Sequence, residues 1–179
     1  MLTIEALNAM PVQEFTAALG SIFEHSPWVA QRAAALRPFR DREALHQAMC
    51  RQVAQASVAE RDTLILAHPK LGARGRQRAQ LTQASAREQS RAGLDACSDA
   101  EFAELLQLNE LYMARFAMPF ILAVRGHTPE SILGAMRQRL DNDVAAEHAM
   151  ALQQIYSIAG FRLNDAIMAA PDSAAQTAQ

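Results

Sequence analysis

The order of apolar and polar residues along the chain predicts helices almost throughout. Residues branched at Cβ are scarce, whereas Ala, Leu, Gln, Glu and Arg, which favour helix, are abundant. Pro11, Pro27 and Pro38 divide the first forty residues into short pieces. Because proline suits the first turn of a helix, Pro27 after Ser26 predicts a helix start.

Helix-capping residues predict where the longer helices begin. Two capping boxes stand out, Ser57-x-x-Glu60 and Ser98-x-x-Glu101, in which each side chain caps the backbone N–H of the other residue. Thr128 before Pro129 is a third start. The predicted helices run from Asp41 to about Ala56, from Ser57 to His68, onward from Ser98, from Thr128 to about Leu140, and over roughly residues 142 to 162.

Two of these helices carry a stripe at helical spacing that predicts a buried face. The stripe after Ser98 consists of Phe102, Leu105, Asn109, Tyr112 and Phe116. The stripe of the last helix consists of Val144, His148, Leu152, Ile155 and Ala159.

One segment departs from this pattern, the short apolar run "MPFILAVRG" at residues 118–126. Periodicity leaves open a strand-like stretch or a buried helical turn. Pro119 favours an extended conformation at Met118, so we expect a kink. The backbone of residues 120–124 is then partly free of helical pairing, and a ligand rich in amide groups would satisfy it.

The pattern as a whole predicts the all-α class. We expect a single-domain helical bundle over residues 1–164, with the kinked apolar segment near residues 118–126. The small, polar end of the chain predicts a flexible C-terminal tail over residues 165–179. The chain has no internal repeat and no sign of a second domain.

Composition excludes several classes of function. The formal net charge of −2 argues against a general nucleic-acid binder. No apolar run approaches the roughly 20 residues that span a bilayer, and the N-terminus "MLTIEALNAMP" does not resemble a signal peptide. Cys50 and Cys97 lack CxxC spacing and form no metal-ligand cluster. We therefore expect a cytoplasmic protein with two free thiols, no metal and no membrane association.

The first candidate for chemistry is His68, in the stretch "LILAHPKLGAR" of residues 64–74. Its ring is expected to share the inward face of Leu64 and Ile65. Pro69 disfavours continuation of the helix, so the imidazole lies at a helix end beside a glycine-containing basic loop. The alternative is a histidine that only caps the helix or is satisfied in the core.

Two further places carry candidate groups. In "SAREQSRAGL", Ser85 and Glu88 have capping-box spacing, which is the alternative to a catalytic carboxylate at Glu88. Capping does not explain Gln89, whose amide can form two hydrogen bonds to a ligand. Arg125 follows the apolar run and can bind a carboxylate through two hydrogen bonds, or it is an ordinary surface arginine.

Together, the ordered motifs "AHP.LG", "S..EQ..AGL" and "LNE.Y..RF..PFI.AVRG" resemble the OHCU decarboxylases of the ureide pathway of purine breakdown. The resemblance extends from "FEHSPWVAQRA" at residue 23 to "IYSIAGFRL" at residue 163. It implies conversion of 2-oxo-4-hydroxy-4-carboxy-5-ureidoimidazoline (OHCU) into (S)-allantoin and CO2 by an all-α, cofactor-free enzyme that is commonly a dimer.

The resemblance also assigns residues. It implies that His68 and Glu88 are catalytic. The positions implied to contact substrate are Pro69, Ser85, Gln89, Phe120, Ile121, Leu122, Ala123, Val124 and Arg125. Lys70, Ala117 and Met118 depart from the family pattern, in which an acidic residue, glycine and phenylalanine are usual, but none of these changes removes a polar group with an implied role.

The residue types suit such a decarboxylation, which needs a base for the 4-hydroxyl, a proton for one ring face and donors for developing charge. We expect His68 to be the base and Glu88 to orient it. Gln89 and the backbone of residues 120–124 are expected to hold the ureido and ring amides, and Arg125 to stabilise negative charge. The alternatives are a related lyase acting on another ureido or imidazole acid, and a non-catalytic helical module that binds a partner protein.

Overall fold

A computed structural model describes residues 2–73 and 78–168, and within these ranges the protein is all-α, as predicted. The described part of the chain contains nine α-helices and three short 3-10 turns. The helices are α1 (Ile4–Ala9), α2 (Val12–Leu19), α3 (Pro27–Ala33), α4 (Arg42–Ala54), α5 (Val58–Leu66), α6 (Gln83–Arg91), α7 (Asp99–Phe116), α8 (Pro129–Arg139) and α9 (Val144–Ala166).

The helix starts agree with the capping residues found in the sequence. Ser57 and Ser98 each form a complete capping box with a glutamate three residues later. Asp41 accepts a hydrogen bond from the Ala44 N–H at 2.7 Å and caps α4. Thr128 caps α8, which begins at Pro129. These predictions are confirmed because the signal for each cap lies within one turn of the helix it starts.

Helix ends differ from the prediction by a few residues. α4 ends at Ala54 and α5 at Leu66, so His68 lies in the turn that follows α5. α9 continues to Ala166. The predicted tail of residues 165–179 thus begins inside a helix, and its residues 169–179 lie outside the described part of the chain.

The described part of the chain forms two compact units, and residues 2–56 with 159–168 make up the first. The core of the first unit consists of large side chains from α1 to α4 and the segment between α2 and α3, including Leu7, Phe15, Leu19, Phe23, Leu45 and Met49. Arg162 forms an ion pair with Glu24 at 2.8 Å inside this unit, and both side chains are buried. The Sγ atom of Cys50 lies 3.4 Å from the Nε2 atom of His46.

The second unit, residues 57–158, contains every residue predicted to contact substrate or to be catalytic. Its core consists of Leu64, Ile65, Leu105, Tyr112, Phe120, Ile132 and Met136. α7 packs against α8. The stripe predicted on α7 is buried from Leu105 to Phe116, and Phe102 is half-buried.

The predicted kink lies immediately after α7. Ala117 adopts a left-handed conformation, with φ 55° and ψ 25°, and ends the helix. From Pro119 to Val124 the chain then runs without helix, turn or bend. The segment is therefore extended, which decides between the two alternatives left open by the periodicity.

Within the described ranges, no helix is both long and apolar enough to cross a membrane. The described residues also include no group of three or more His, Cys, Asp or Glu side chains placed to bind a metal ion. Cys50 and Cys97 are both free thiols. Burial, with a smaller contribution from Glu43, raises the pKa of Cys50 to about 12.

Candidate active site

His68 follows α5 in a tight turn and is buried, with 8% of its surface exposed. Its backbone N–H donates to the Ile65 carbonyl at 3.1 Å, which leaves the Leu64 carbonyl to accept from the ring. His68 Nδ1 lies 2.9 Å from that oxygen. Because a carbonyl only accepts hydrogen bonds, Nδ1 carries the hydrogen, and in the neutral ring the basic lone pair is on Nε2.

The hydrogen bond from His68 Nδ1 to the Leu64 carbonyl is compatible with both interpretations of His68. One ring nitrogen caps a carbonyl at the end of α5, as the structural alternative holds. The same hydrogen bond fixes the ring orientation and the tautomer, which a general base requires. Capping and acid–base chemistry therefore use different atoms of one imidazole.

α6 begins three residues earlier than the Ser85-x-x-Glu88 spacing suggests. Its N-cap is Thr82, whose side chain accepts from the Ser85 N–H at 3.3 Å. Ser85 is thus the third residue of the helix, so the prediction of a capping box at this spacing is wrong. Glu88 lies in the middle of α6, half-buried, where starting the helix does not explain a carboxylate.

The buried face of α6 is polar. The residues of α6 that are fully buried are Ser85 and Gln89, and Glu88 lies beside them at helical spacing. Buried polar groups require hydrogen-bond partners, so this face needs a polar surface opposite it.

Gln89 meets the loop that follows His68. Its Oε1 accepts from the Gly72 N–H at 3.0 Å, and its Nε2 donates to the Lys70 carbonyl at 3.3 Å. The predicted pair of amide hydrogen bonds is therefore present, but it is made to the protein backbone. Gln89 fixes the position of the loop that begins at His68.

The stripe on α7 contacts the loop that follows His68. Asn109 Nδ2 donates to the Leu71 carbonyl at 3.0 Å. Gly72 has φ +80°, and a Cβ at this position would collide with the Leu105 side chain. Glycine is needed here for both the backbone angle and the close approach.

The same stripe also contacts the extended segment. The Tyr112 ring packs edge-on against the Phe120 ring, with centroids 5.2 Å apart. Tyr112 follows Asn109 by three residues, so both lie on one face of α7, about 4.5 Å apart along its axis. α7 thereby brings together the loop after His68 and the segment of residues 118–126.

Side chains from α8 and α9 hold the extended segment in place. Arg139 Nη1 donates to the Ile121 carbonyl at 2.7 Å, and its guanidinium lies 4.4 Å from the centre of the Phe120 ring. Gln154 Oε1 accepts from the Ala123 N–H at 2.9 Å. Both residues contact the segment predicted to bind substrate, and neither was identified from the sequence.

Arg139 is part of a buried polar network. Its Nε donates to Glu147 Oε1 at 2.8 Å, and Tyr112 donates its hydroxyl to the same carboxylate. Asn142 donates to the other carboxylate oxygen at 2.7 Å. Burial, followed by the hydrogen bond to Glu147, raises the pKa of the Tyr112 phenol above its ordinary value.

The predicted stripe on α9 is confirmed at Leu152, Ile155 and Ala159, which are buried, and this network corrects its first two positions. Val144 is exposed and His148 half-buried, whereas Glu147 is fully buried. The hydropathy pattern misses this because a glutamate predicts exposure, and only its paired arginine compensates the buried charge. Arg139 and Glu147 carry opposite charges only eight residues apart, and this spacing is the signal that was available in the sequence.

The remaining predicted contacts differ in exposure. Phe120, Ile121 and Val124 are buried, while Pro69, Leu122 and Ala123 are half-buried. Arg125 is exposed in the turn after the segment, so solvent screens its charge more than that of a buried group. The residue types and the fold define a class, an all-α protein with candidate acid–base residues after α5 and on α6.

Comparison with known proteins identifies the family within that class. The family model of OHCU decarboxylase matches residues 8–164. The chain is 40% identical over 162 residues to the 2-oxo-4-hydroxy-4-carboxy-5-ureidoimidazoline decarboxylase of Haloferax volcanii, covering 90% of this chain and 94% of that protein. The chain therefore belongs to the OHCU decarboxylase family, and the resemblance noted in the sequence is confirmed.

Two larger proteins contain a similar region. The uric acid degradation bifunctional protein PucL of Bacillus subtilis is 45% identical over 167 residues, which is 93% of this chain and 33% of that protein. A crystal structure of (S)-allantoin synthase superposes with a TM-score of 0.75 at 29% identity, covering 93% of this chain and 54% of that one. The chain thus spans about a third and about half of these two proteins.

Proposed function

We propose that this protein decarboxylates OHCU to (S)-allantoin and CO2, a step of urate degradation in purine metabolism. Family membership supports this, as does the similarity to the Haloferax decarboxylase over nearly the whole length of both chains. The structural observation that carries the proposal is the buried His68 ring, whose Nδ1 hydrogen is held by the Leu64 carbonyl. This contact directs the basic lone pair to Nε2 in the neutral ring.

The reaction requires proton handling and charge stabilisation. The bond from C4 to the carboxylate breaks and CO2 leaves. The electron pair forms a C4=C5 double bond, the adjacent carbon–nitrogen double bond of the ring becomes a single bond, and the ring nitrogen takes up a proton from solvent. The 4-hydroxyl loses its proton and becomes a carbonyl, while C5 gains the proton that makes it a stereocentre. The substrate ring accepts the electron pair itself, so we propose a mechanism without metal or cofactor.

In this mechanism His68 is the general base for the 4-hydroxyl, through Nε2. Glu88 is the carboxylate that orients the imidazole and takes part in proton transfer. Thr82 caps α6, so helix capping explains neither the position nor the charge of Glu88. Placing two such groups at a reacting centre contributes on the order of 10²–10⁴-fold each.

The extended segment is the proposed binding surface for the ureido and ring amides. Pro69, Ser85 and Gln89 are proposed to contact the substrate as well. In the part of the chain that the structure describes, no hydrogen bond involves the backbone N–H or carbonyl of Leu122 or the N–H of Val124. Such groups are ready to pair with a ligand. Arg125 is the proposed group for binding negative charge, and solvent screening at this exposed position reduces the strength of that interaction.

We further propose that the protein acts in the cytoplasm and as a homodimer. An apolar surface on the second unit supports the dimer. Val58 and Leu66 of α5 and Val144 of α9 are each more than half exposed. They surround the Asp62–His148 pair, which links the two helices at 2.8 Å. Sedimentation equilibrium should give twice the chain mass, and a monomer at micromolar concentration would contradict this.

The function is tested by adding the protein to freshly prepared products of urate oxidation. Circular dichroism should show (S)-allantoin accumulating, because only a chiral site delivers the proton to one ring face. A reaction without protein is the control and should give no such excess of one enantiomer. Allantoin formed at the uncatalysed rate and without optical activity would reject the proposal and favour a partner-binding module.

A further inference from the structure

The extended segment has two edges, and side chains of the protein occupy one of them. In an extended chain the N–H and carbonyl of one residue point to the same side, and those of the next residue point to the other. The Ile121 carbonyl and the Ala123 N–H, two residues apart, therefore share an edge. Arg139 binds the first at 2.7 Å and Gln154 binds the second at 2.9 Å.

The opposite edge carries the backbone groups of Leu122. Neither its N–H nor its carbonyl takes part in a hydrogen bond within the described residues. A rotation of the segment about its own axis would exchange the two edges. The two side-chain contacts prevent this rotation, because they hold both Ile121 and Ala123 on the protein side.

We propose that Arg139 and Gln154 are positioning residues, which fix the extended segment so that the Leu122 backbone N–H and carbonyl face the ligand. Neither residue needs to touch substrate in this role. The proposal rests on the proposed function for the identity of the ligand. Its geometric part, the anchoring of residues 121–123, is independent of that function.

Arg139 is constrained more tightly than Gln154. Its guanidinium contacts Glu147, the Ile121 carbonyl and the Phe120 ring at the same time. Glu147 is fully buried, so removing the guanidinium leaves an uncompensated charge and endangers the fold. Arg139→Lys keeps the charge but lacks the planar fork that reaches Glu147 and Ile121 together.

Gln154 offers the cleaner test, since it is half-buried and lies outside the ion-pair network. Gln154→Met removes the acceptor for the Ala123 N–H at similar length. Gln154→Glu retains an acceptor oxygen and is the conservative variant. Gln153→Met, at the exposed neighbouring position of α9, is the matched control.

Two measurements are made on the full chain: hydrogen exchange of the Ala123 amide, and steady-state kinetics with OHCU. Gln154→Met should exchange Ala123 at least tenfold faster and raise KM about 3–10-fold, the effect of one hydrogen bond, with kcat nearly unchanged. Gln154→Glu should restore most of both values. Arg139→Lys should raise KM in the same direction, and Gln153→Met should match the wild type.

The outcomes separate this proposal from the proposed function. Equal Ala123 exchange in Gln154→Met and Gln153→Met would overturn the anchoring. Faster exchange with unchanged KM would overturn the positioning role while leaving the decarboxylation intact. A wild-type protein that does not decarboxylate OHCU, yet loses Ala123 protection in Gln154→Met, would reject the function and keep the anchoring.

Discussion

The substitution His68→Asn separates the capping role of His68 from its proposed chemistry. An asparagine side chain can place an N–H near the position of Nδ1 and so retain the hydrogen bond to the Leu64 carbonyl, which is 2.9 Å long in the wild type. It provides nothing at the position of Nε2. If Nε2 is the general base, kcat should fall by about 10²-fold or more while the fold remains intact.

Stability provides the scale for the comparison. His68→Ala loses both the base and the cap, and one hydrogen bond contributes a net ~0.5–1.5 kcal/mol. For a chain of this size, about 1 kcal/mol corresponds to roughly 2–4 °C in Tm. His68→Ala should therefore melt a few degrees below His68→Asn, whereas both should lose activity to a similar extent.

The assay combines CO2 release from OHCU with the circular dichroism of the allantoin formed, and Tm is measured by calorimetry on the same samples. A folded His68→Asn protein with kcat within threefold of the wild type would refute the reasoning. His68 would then be a helix cap alone, and the base would have to be sought among other residues.

Three further predictions follow from the structure. Glu88→Gln should leave Tm within about 2 °C of the wild-type value, since Thr82 caps α6, and should lower kcat at least about 10²-fold. A wild-type kcat in the folded variant would remove Glu88 from the mechanism. Ala117→Gly should raise Tm by about 2–3 °C, because the left-handed conformation costs alanine ~1.5 kcal/mol while glycine loses ~0.7 kcal/mol through the unfolded state, a net gain of ~0.8 kcal/mol. An unchanged or lower Tm would show that no strain is relieved. Replacing Cys50 and Cys97 with serine should leave kcat nearly intact. In the wild type, a thiol-blocking reagent should label Cys50 of the folded protein at pH 8 at least about 100-fold more slowly than Cys50 of the denatured chain, because burial raises the pKa of this thiol to about 12 and keeps it protonated. Equally fast labelling would contradict a buried environment for Cys50.

The parts of the fold that the sequence predicted are those with local causes. The capping boxes at Ser57 and Ser98 were found because each involves residues of a single turn. The break after α7 was found because Pro119 restricts the residue before it. The α7 stripe from Leu105 to Phe116 was found because one helix face is enough to define it.

The parts that were missed depend on groups far apart in the chain. The backbone groups that Gln89 binds, 17 and 19 residues earlier, were not predicted. Gln154 bonds a residue 31 positions away. The residue type of Glu147 predicts exposure. Its carboxylate is buried because it accepts hydrogen bonds from Arg139, Tyr112 and Asn142. Hydropathy contains no information on such pairs.

The kink after α7 has a chemical consequence for an all-α protein. Inside a helix, the backbone N–H and carbonyl groups are already paired with one another, so a ligand with amide groups finds few backbone partners on a helical bundle. Breaking α7 at Ala117 and continuing in an extended conformation makes such groups available. This arrangement places Ala117 in the left-handed region and buries the Arg139–Glu147 ion pair, and neither feature is expected to add net stability. Because a gain in stability does not explain them, both features fit the binding role proposed for the segment of residues 120–124.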